Sequence, residues 1–114
     1  MAFNELELKR IKKTVGDFCR RHTRPELVHE LRLGYEIAGQ SVVVFEERPD
    51  WWDAAQRMRN PLAKFRFVRT SGSWNLYWHR ADLKWHRYQP AAPTSDLAAL
   101  VEIVERDECG AFFG

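Results

Sequence analysis

Long apolar runs are missing from this chain. The longest, Val42 to Phe45 and Leu97 to Val101, fall far short of the roughly 20 residues a helix needs to cross a bilayer, so no membrane partner is expected. Charge of one sign is scarce as well. A formal net charge of only +2, from 18 Lys and Arg against 16 Asp and Glu, excludes a strongly self-repelling disordered chain. Cysteine is nearly absent. Cys19 and Cys109 make neither a disulfide framework nor a paired metal motif, which agrees with a reducing compartment. Charged Glu5, Glu7, Lys9 and Arg10 occupy the stretch where a signal peptide needs its apolar segment, so the expectation is a cytoplasmic protein. Repeats, low-complexity tracts, a phosphate-cradling glycine loop, a nucleophile elbow and paired-carboxylate motifs are also lacking. No catalytic residue, metal site or cofactor is therefore assigned.

What is present suits one packed domain. The chain has 114 residues, 45% of them hydrophobic, with 5 Trp, 7 Phe and 3 Tyr, enough for a single core and too few for two. At the N-terminus, Asn4 followed by Glu7 is a capping-box pattern, with Phe3 placed to staple onto Leu8. Leu8, Ile11, Val15, Phe18 and Cys19 recur at helical spacing and form one apolar stripe. Pro25 should end that helix. A second helix is expected from Ser95, a capping hydroxyl followed by Asp96, with Leu97, Leu100, Val101 and Val104 as its buried stripe and Gly110 as its stop.

Between the helices the period changes to two. Leu31, Leu33, Tyr35 and Ile37 alternate with Arg32, Gly34, Glu36 and Ala38, Gly39-Gln40 supplies a turn, and Val42 to Phe45 returns until Pro49. Residues 50–60, with Trp51 and Trp52, read as a loop, and extended structure restarts at Pro61. A two-residue turn at Ser71-Gly72 sets Phe65 opposite Trp78 and Phe67 opposite Leu76. An even loop near Ala81-Asp82-Leu83 then puts Trp85 on the face of Trp78. The expected fold is α+β: an antiparallel meander of about five strands, with an N-terminal and a C-terminal helix packed on one face. The organisation is a single domain over 1–114. Residues 1–24 give the first helix, 27–90 the sheet with its Trp-containing loop at 50–60, and 94–114 the last helix and an aromatic tail.

With that parity the opposite face collects Lys64, Arg66, Asn75, Tyr77, His79, Lys84, His86 and Tyr88. Cations neutralise phosphate and flat rings stack on unpaired bases, so this set suits a single-stranded nucleic acid. The bland alternative is the wet side of an ordinary sheet, whose long stems cover apolar surface. The candidate ligand-binding residues are Lys64, Arg66, Tyr77, His79, Lys84, His86 and Tyr88. Residues 1–24 carry seven Lys or Arg against three acids, and residues 94–114 one Arg against five acids. A stripe of Lys9, Lys13 and Arg20 beside Lys12 is thus either a phosphate track or a solvated helix face.

Two rival uses of the sequence are open. Trp51, Trp52, Phe112 and Phe113 are candidates for a protein or self-association interface, since aromatic anchors dominate such contacts; burial in the chain's own core is the alternative. His79 and His86, placed on one face with Asp82 in the turn between them, are candidates for a small acid/base or metal-dependent enzyme. A Cys19, His22, His29 ligand set is geometrically conceivable, although a cysteine on an apolar stripe ordinarily packs as a small hydrophobe.

Several segments resemble a known family: Leu33-Gly34-Tyr35, Gly39-Gln40-Ser41-Val42, Phe45-Glu46 with Arg48-Pro49, and Arg80-Ala81-Asp82-Leu83-Lys84-Trp85-His86 running on to Tyr88 and Pro90. They are similar to small bacterial proteins described as domain of unknown function 3024, as is the closing Phe112-Phe113-Gly114. The resemblance implies a standalone bacterial protein and carries no activity, substrate, cofactor or catalytic residue. The function expected from the residues is a non-enzymatic binding module.

Overall fold

The computed structural model describes residues 3–27, 31–50, 52, 53 and 55–113; Trp51 and His29 lie outside them. Helix α1 spans Glu5–Arg21. Its start is the expected capping box: Asn4 Oδ1 accepts from the Glu7 amide at 2.8 Å, and Glu7 Oε1 accepts from the Asn4 amide at 2.9 Å. The staple differs. Leu8 is exposed, and Phe3 turns inward to stack on Trp74 with ring centroids 5.6 Å apart. Ile11, Val15, Phe18 and Cys19 are buried as their spacing requires.

Five antiparallel strands follow in the order β1-β2-β3-β4-β5: β1 Arg32–Ala38, β2 Ser41–Pro49, β3 Arg57–Val68, β4 Ser73–His79 and β5 Trp85–Arg87. Helix α2, Leu97–Arg106, closes the order; its N-cap is Asp96 rather than Ser95, and it ends on Asp107 in the left-handed conformation, before Gly110. Ile11, Val15 and Phe18 of α1 and Leu100, Val101 and Val104 of α2 share one core with Val42, Val44, Ala63, Phe65, Trp74 and Leu76. Both helices thus lie on one face of the sheet, here the inner face. No helix among the described residues is long and apolar enough to cross a membrane.

Three local features decide which side chains face outward. The β3–β4 hairpin closes at Val68 and Ser73 through a four-residue loop, so Phe65 pairs with Leu76 and Phe67 with Trp74. The register is two residues from the expected one. Because four is also even, every side chain keeps its face. Secondly, extended structure begins at Arg57, not at Pro61. Val44 pairs with Ala63 but Phe45 with Pro61, which leaves Leu62 as an extra residue in β3. This bulge reverses the alternation, so Arg57 and Arg59 share the outer face with Lys64 and Arg66.

Thirdly, the β4–β5 turn is odd, contrary to the even loop expected. Leu83 N donates to Arg80 O at 2.9 Å and Arg80 N to Lys84 O at 3.1 Å, around Leu83 at φ 64°. That is a type I turn followed by a left-handed residue, the usual build of a three-residue hairpin loop. His79 consequently pairs with Trp85 and Trp78 with His86. Trp85 moves to the outer face, and His86 and Tyr88 move to the inner one. Asp82 supports the strained turn by accepting from Lys84 N at 3.0 Å and contacting His86 Nε2 at 2.8 Å.

Candidate functional site

The outer face is built mainly on β2 to β5. Strand alternation and pairing bring Lys64 opposite Tyr77, Tyr77 opposite Arg87, Arg66 opposite Asn75, and His79 opposite Trp85. Lys64 Nζ lies 5.9 Å from the ring centres of both Tyr77 and Trp85, a cation–π distance. The His79 and Trp85 rings meet edge to face at 5.0 Å. Tyr77, His79 and Trp85 are half-buried, and Arg66 and Arg87 are exposed. Among the described residues, Lys64, Arg66 and Arg87 face no carboxylate within ion-pairing distance.

Below the bulge the same face carries a denser charge cluster. Glu47 is only 5% exposed. Its carboxylate receives Arg32 Nη2 at 2.8 Å, Arg59 Nε at 3.5 Å and Arg57 Nε at 3.8 Å. Burial alone would raise its pKa, but the Arg32 hydrogen bond and the charges of Arg32, Arg59 and Arg57 outweigh that and hold the group below the usual glutamate range. The Arg59 guanidinium also covers the Phe45 ring at 4.3 Å and reaches Glu36 at 3.2 Å. Phe45 in turn fills the space left by Gly34, where a Cβ would meet its ring at 2.9 Å. The sequence carries no signal for this region: Arg57-Met58-Arg59-Asn60 holds a single apolar residue and no sustained alternation.

The seven expected ligand-binding residues separate into two groups. Lys64, Arg66, Tyr77 and His79 share the outer face, while Lys84 projects from the β4–β5 turn. His86 and Tyr88 do not belong with them. Tyr88 is 5% exposed and packs on Phe112 at 5.0 Å; its pKa is pushed up to about 12 by Cys109 beside its hydroxyl, by burial, and by Asp107 and Glu108. Burial of this ring is a consequence of the odd turn. His79 and His86 therefore lie on opposite faces, so the pair of histidines required for the enzyme reading is not assembled. Asp82 does hold His86, and that hydrogen bond is the main cause of its pKa falling below the usual range.

The proposed aromatic interface is also dispersed. Trp52 is 78% exposed, whereas Phe112 is buried in the core, and Phe113 stacks on His22 at 5.6 Å. His22 pairs with Glu105 at 3.2 Å, and Cys19 is buried in the core. No three or more His, Cys, Asp or Glu side chains converge as a metal site among the described residues. On α1, Arg20 pairs with Asp17 and Arg21 with Glu105 of α2, so part of the basic helix is tied down within the chain.

No curated protein and no solved structure matches the chain. The model of the family described as "Domain of unknown function (DUF3024)" matches residues 3–114, and the chain belongs to that family.

Proposed function

We propose that the outer sheet face binds a single, unpaired nucleic-acid strand with little sequence preference. One observation carries this reading: the bulge at Leu62 aligns Arg57 and Arg59 with Lys64 and Arg66 along β3, beside the rings of Tyr77, His79 and Trp85. At about 3.3 Å per residue the row from Arg57 to Arg66 is about 30 Å long, room for several nucleotides. Cations along one strand can follow a phosphate backbone while half-buried rings on the neighbouring strands offer faces to bases. The apolar faces of both helices pack on the opposite side of the sheet, while α1 borders the Glu47–Arg59 end through Lys12, Gly16 and Arg20. Glu36 and Glu47 offset two of the three charges of Arg32, Arg57 and Arg59, so Lys64 and Arg66 carry the main phosphate contacts and the Arg57–Arg59 end extends the row with a smaller net charge.

The test is fluorescence anisotropy with labelled single-stranded oligonucleotides at low salt. Binding should weaken by about 1–3 kcal/mol for Trp85→Ala or Tyr77→Ala, each the loss of one stacking ring. The double variant Lys64→Ala/Arg66→Ala should flatten the dependence of log K on log salt by about 1.4, near 0.7 per lost phosphate contact. Absence of binding by the natural chain, or binding indifferent to all these substitutions, removes the reading.

A further inference from the structure

A second site lies on the inner side of β4 and β5, where the sheet edge meets the C-terminal tail. Trp78, Arg80, His86, Arg87, Tyr88 and Cys109 line a cleft of about 500 Å³, together with Gln89, Pro90 and Ala111. That volume is in the range of small-molecule sites. Its lining holds cations only, although Asp82 contacts His86 and Asp107 and Glu108 act on Tyr88 from just outside it. Arg80 and Arg87 enter the lining and no carboxylate does, in a region where residues 94–114 are otherwise rich in acids.

Two side chains of the wall are braced. The Arg80 guanidinium rests over the Trp78 ring at 5.2 Å, which restricts a long side chain and aims its donors. His86 Nε2 is held by Asp82 Oδ2 at 2.8 Å. Asp82 has only acceptors to offer, so Nε2 directs its proton at Asp82 and the imidazole is fixed in orientation as part of the wall, which leaves the contacts to an anion to the guanidiniums. The turn that achieves this puts an exposed leucine, Leu83, at φ 64°, a conformation costly for a side chain other than glycine and retained where surrounding contacts impose it.

We propose that this cleft binds a phosphate monoester with a flat body, of the size and kind of a nucleoside monophosphate. Two guanidiniums with no lining carboxylate match a dianion, and near neutral pH a phosphate monoester carries about −1.5 to −2 charges where a carboxylate carries one. The apolar part of the wall, from Pro90, Ala111 and the half-buried Trp78 with only the rim of Tyr88 showing, offers contact surface to a planar ring. This site is distinct from the strand-binding face: it lies mainly on the other side of the sheet, shares with that face only Arg87 of the edge strand β5, and depends on Arg80, which that face does not use.

Isothermal titration with a nucleoside 5′-monophosphate, the parent nucleoside and inorganic phosphate tests it. The monophosphate should bind saturably and more tightly than either fragment. Two variants at exposed positions keep the fold: Arg80→Ala removes one charge-assisted contact and should weaken binding at least about tenfold, and Gln89→Glu should weaken it by placing a carboxylate on the wall. Displacement of the monophosphate by a 5′-phosphorylated tetranucleotide, but not by its 5′-hydroxyl form, assigns the ligand to a strand end. Absence of displacement assigns it to the free nucleotide. No saturable binding at millimolar concentration, or equal affinity in the natural chain and both variants, overturns the proposal.

Discussion

Replacing Gly34 by alanine tests the geometry of the sheet at the point where its outer face is most crowded. The added Cβ would stand 2.9 Å from both Cε2 and Cζ of Phe45, whereas carbon atoms are comfortable at about 3.5–4.0 Å. The ring must retreat, and its other face is covered by Arg59 at 4.3 Å. Arg59 is itself tied to Glu36 and Glu47. Overpacking of this kind costs about 1–3 kcal/mol, and alanine recovers about 0.5–1 kcal/mol by restricting the unfolded chain. The net loss should be about 1–2 kcal/mol, a fall in Tm of about 3–10 °C for a chain of this length. Thermal and urea melts of Gly34→Ala, Phe45→Leu and the double variant measure it. Leucine lacks the two clashing ring atoms, so alanine should cost much less in that background. An unchanged or raised stability for Gly34→Ala, or an equal cost in both backgrounds, would show that Phe45 does not lie over Gly34 and would refute the assigned faces of β1 and β2.

Three further outcomes follow from the same contacts. Asn4→Ala should cost about 1 kcal/mol in urea denaturation, and Asn4→Gly only a few tenths, because glycine tolerates the cap position better. Acid should destabilise the protein through Glu47 and Glu105, whose burial would raise their pKa values but whose hydrogen bonds to Arg32, and to Arg21 and His22, bring both below the ordinary 4.5. Because the folded values are depressed, their contribution is complete above the unfolded value and disappears as pH falls through the folded ones. Glu47→Gln should therefore show a smaller loss of urea midpoint between pH 6 and pH 3 than the natural chain. With an aromatic disulfide reagent, exposed Cys109 should react in the native state, while Cys19, buried and with its thiol pushed up to about 11 by that burial, should react only on unfolding.

What the sequence makes legible here is local. Asn4 and Glu7 are three residues apart and satisfy each other, and Gly39 takes the positive φ that the β1–β2 turn needs. The inner position of Phe65, Phe67 and Leu76 survives a register error because only the parity of the β3–β4 loop matters. Two features escape for the same physical reason. A bulge and an odd turn each reverse alternation, and neither is marked by the residue that usually signals it. The left-handed position belongs to Leu83 instead of glycine, and the extra residue Leu62 sits in an apolar run that reads equally well on either face. An even β4–β5 loop exchanges Trp85 for His86 and Tyr88, and a loop over 50–60 leaves Arg57 and Arg59 outside the strand that carries them. The close approach of Arg32, Arg57 and Arg59 to Glu47 depends on pairing across three strands, which no short-range pattern encodes.

The most direct measurement is chemical-shift mapping of a short single-stranded oligonucleotide on the isotopically labelled protein. Perturbations should centre on Lys64, Arg66, Tyr77, His79 and the Trp85 indole and extend to Arg57 and Arg59, with the Trp74 indole and the amides of α2 unmoved. Shifts concentrated on the helical side of the sheet, or none at saturating oligonucleotide, would contradict the account.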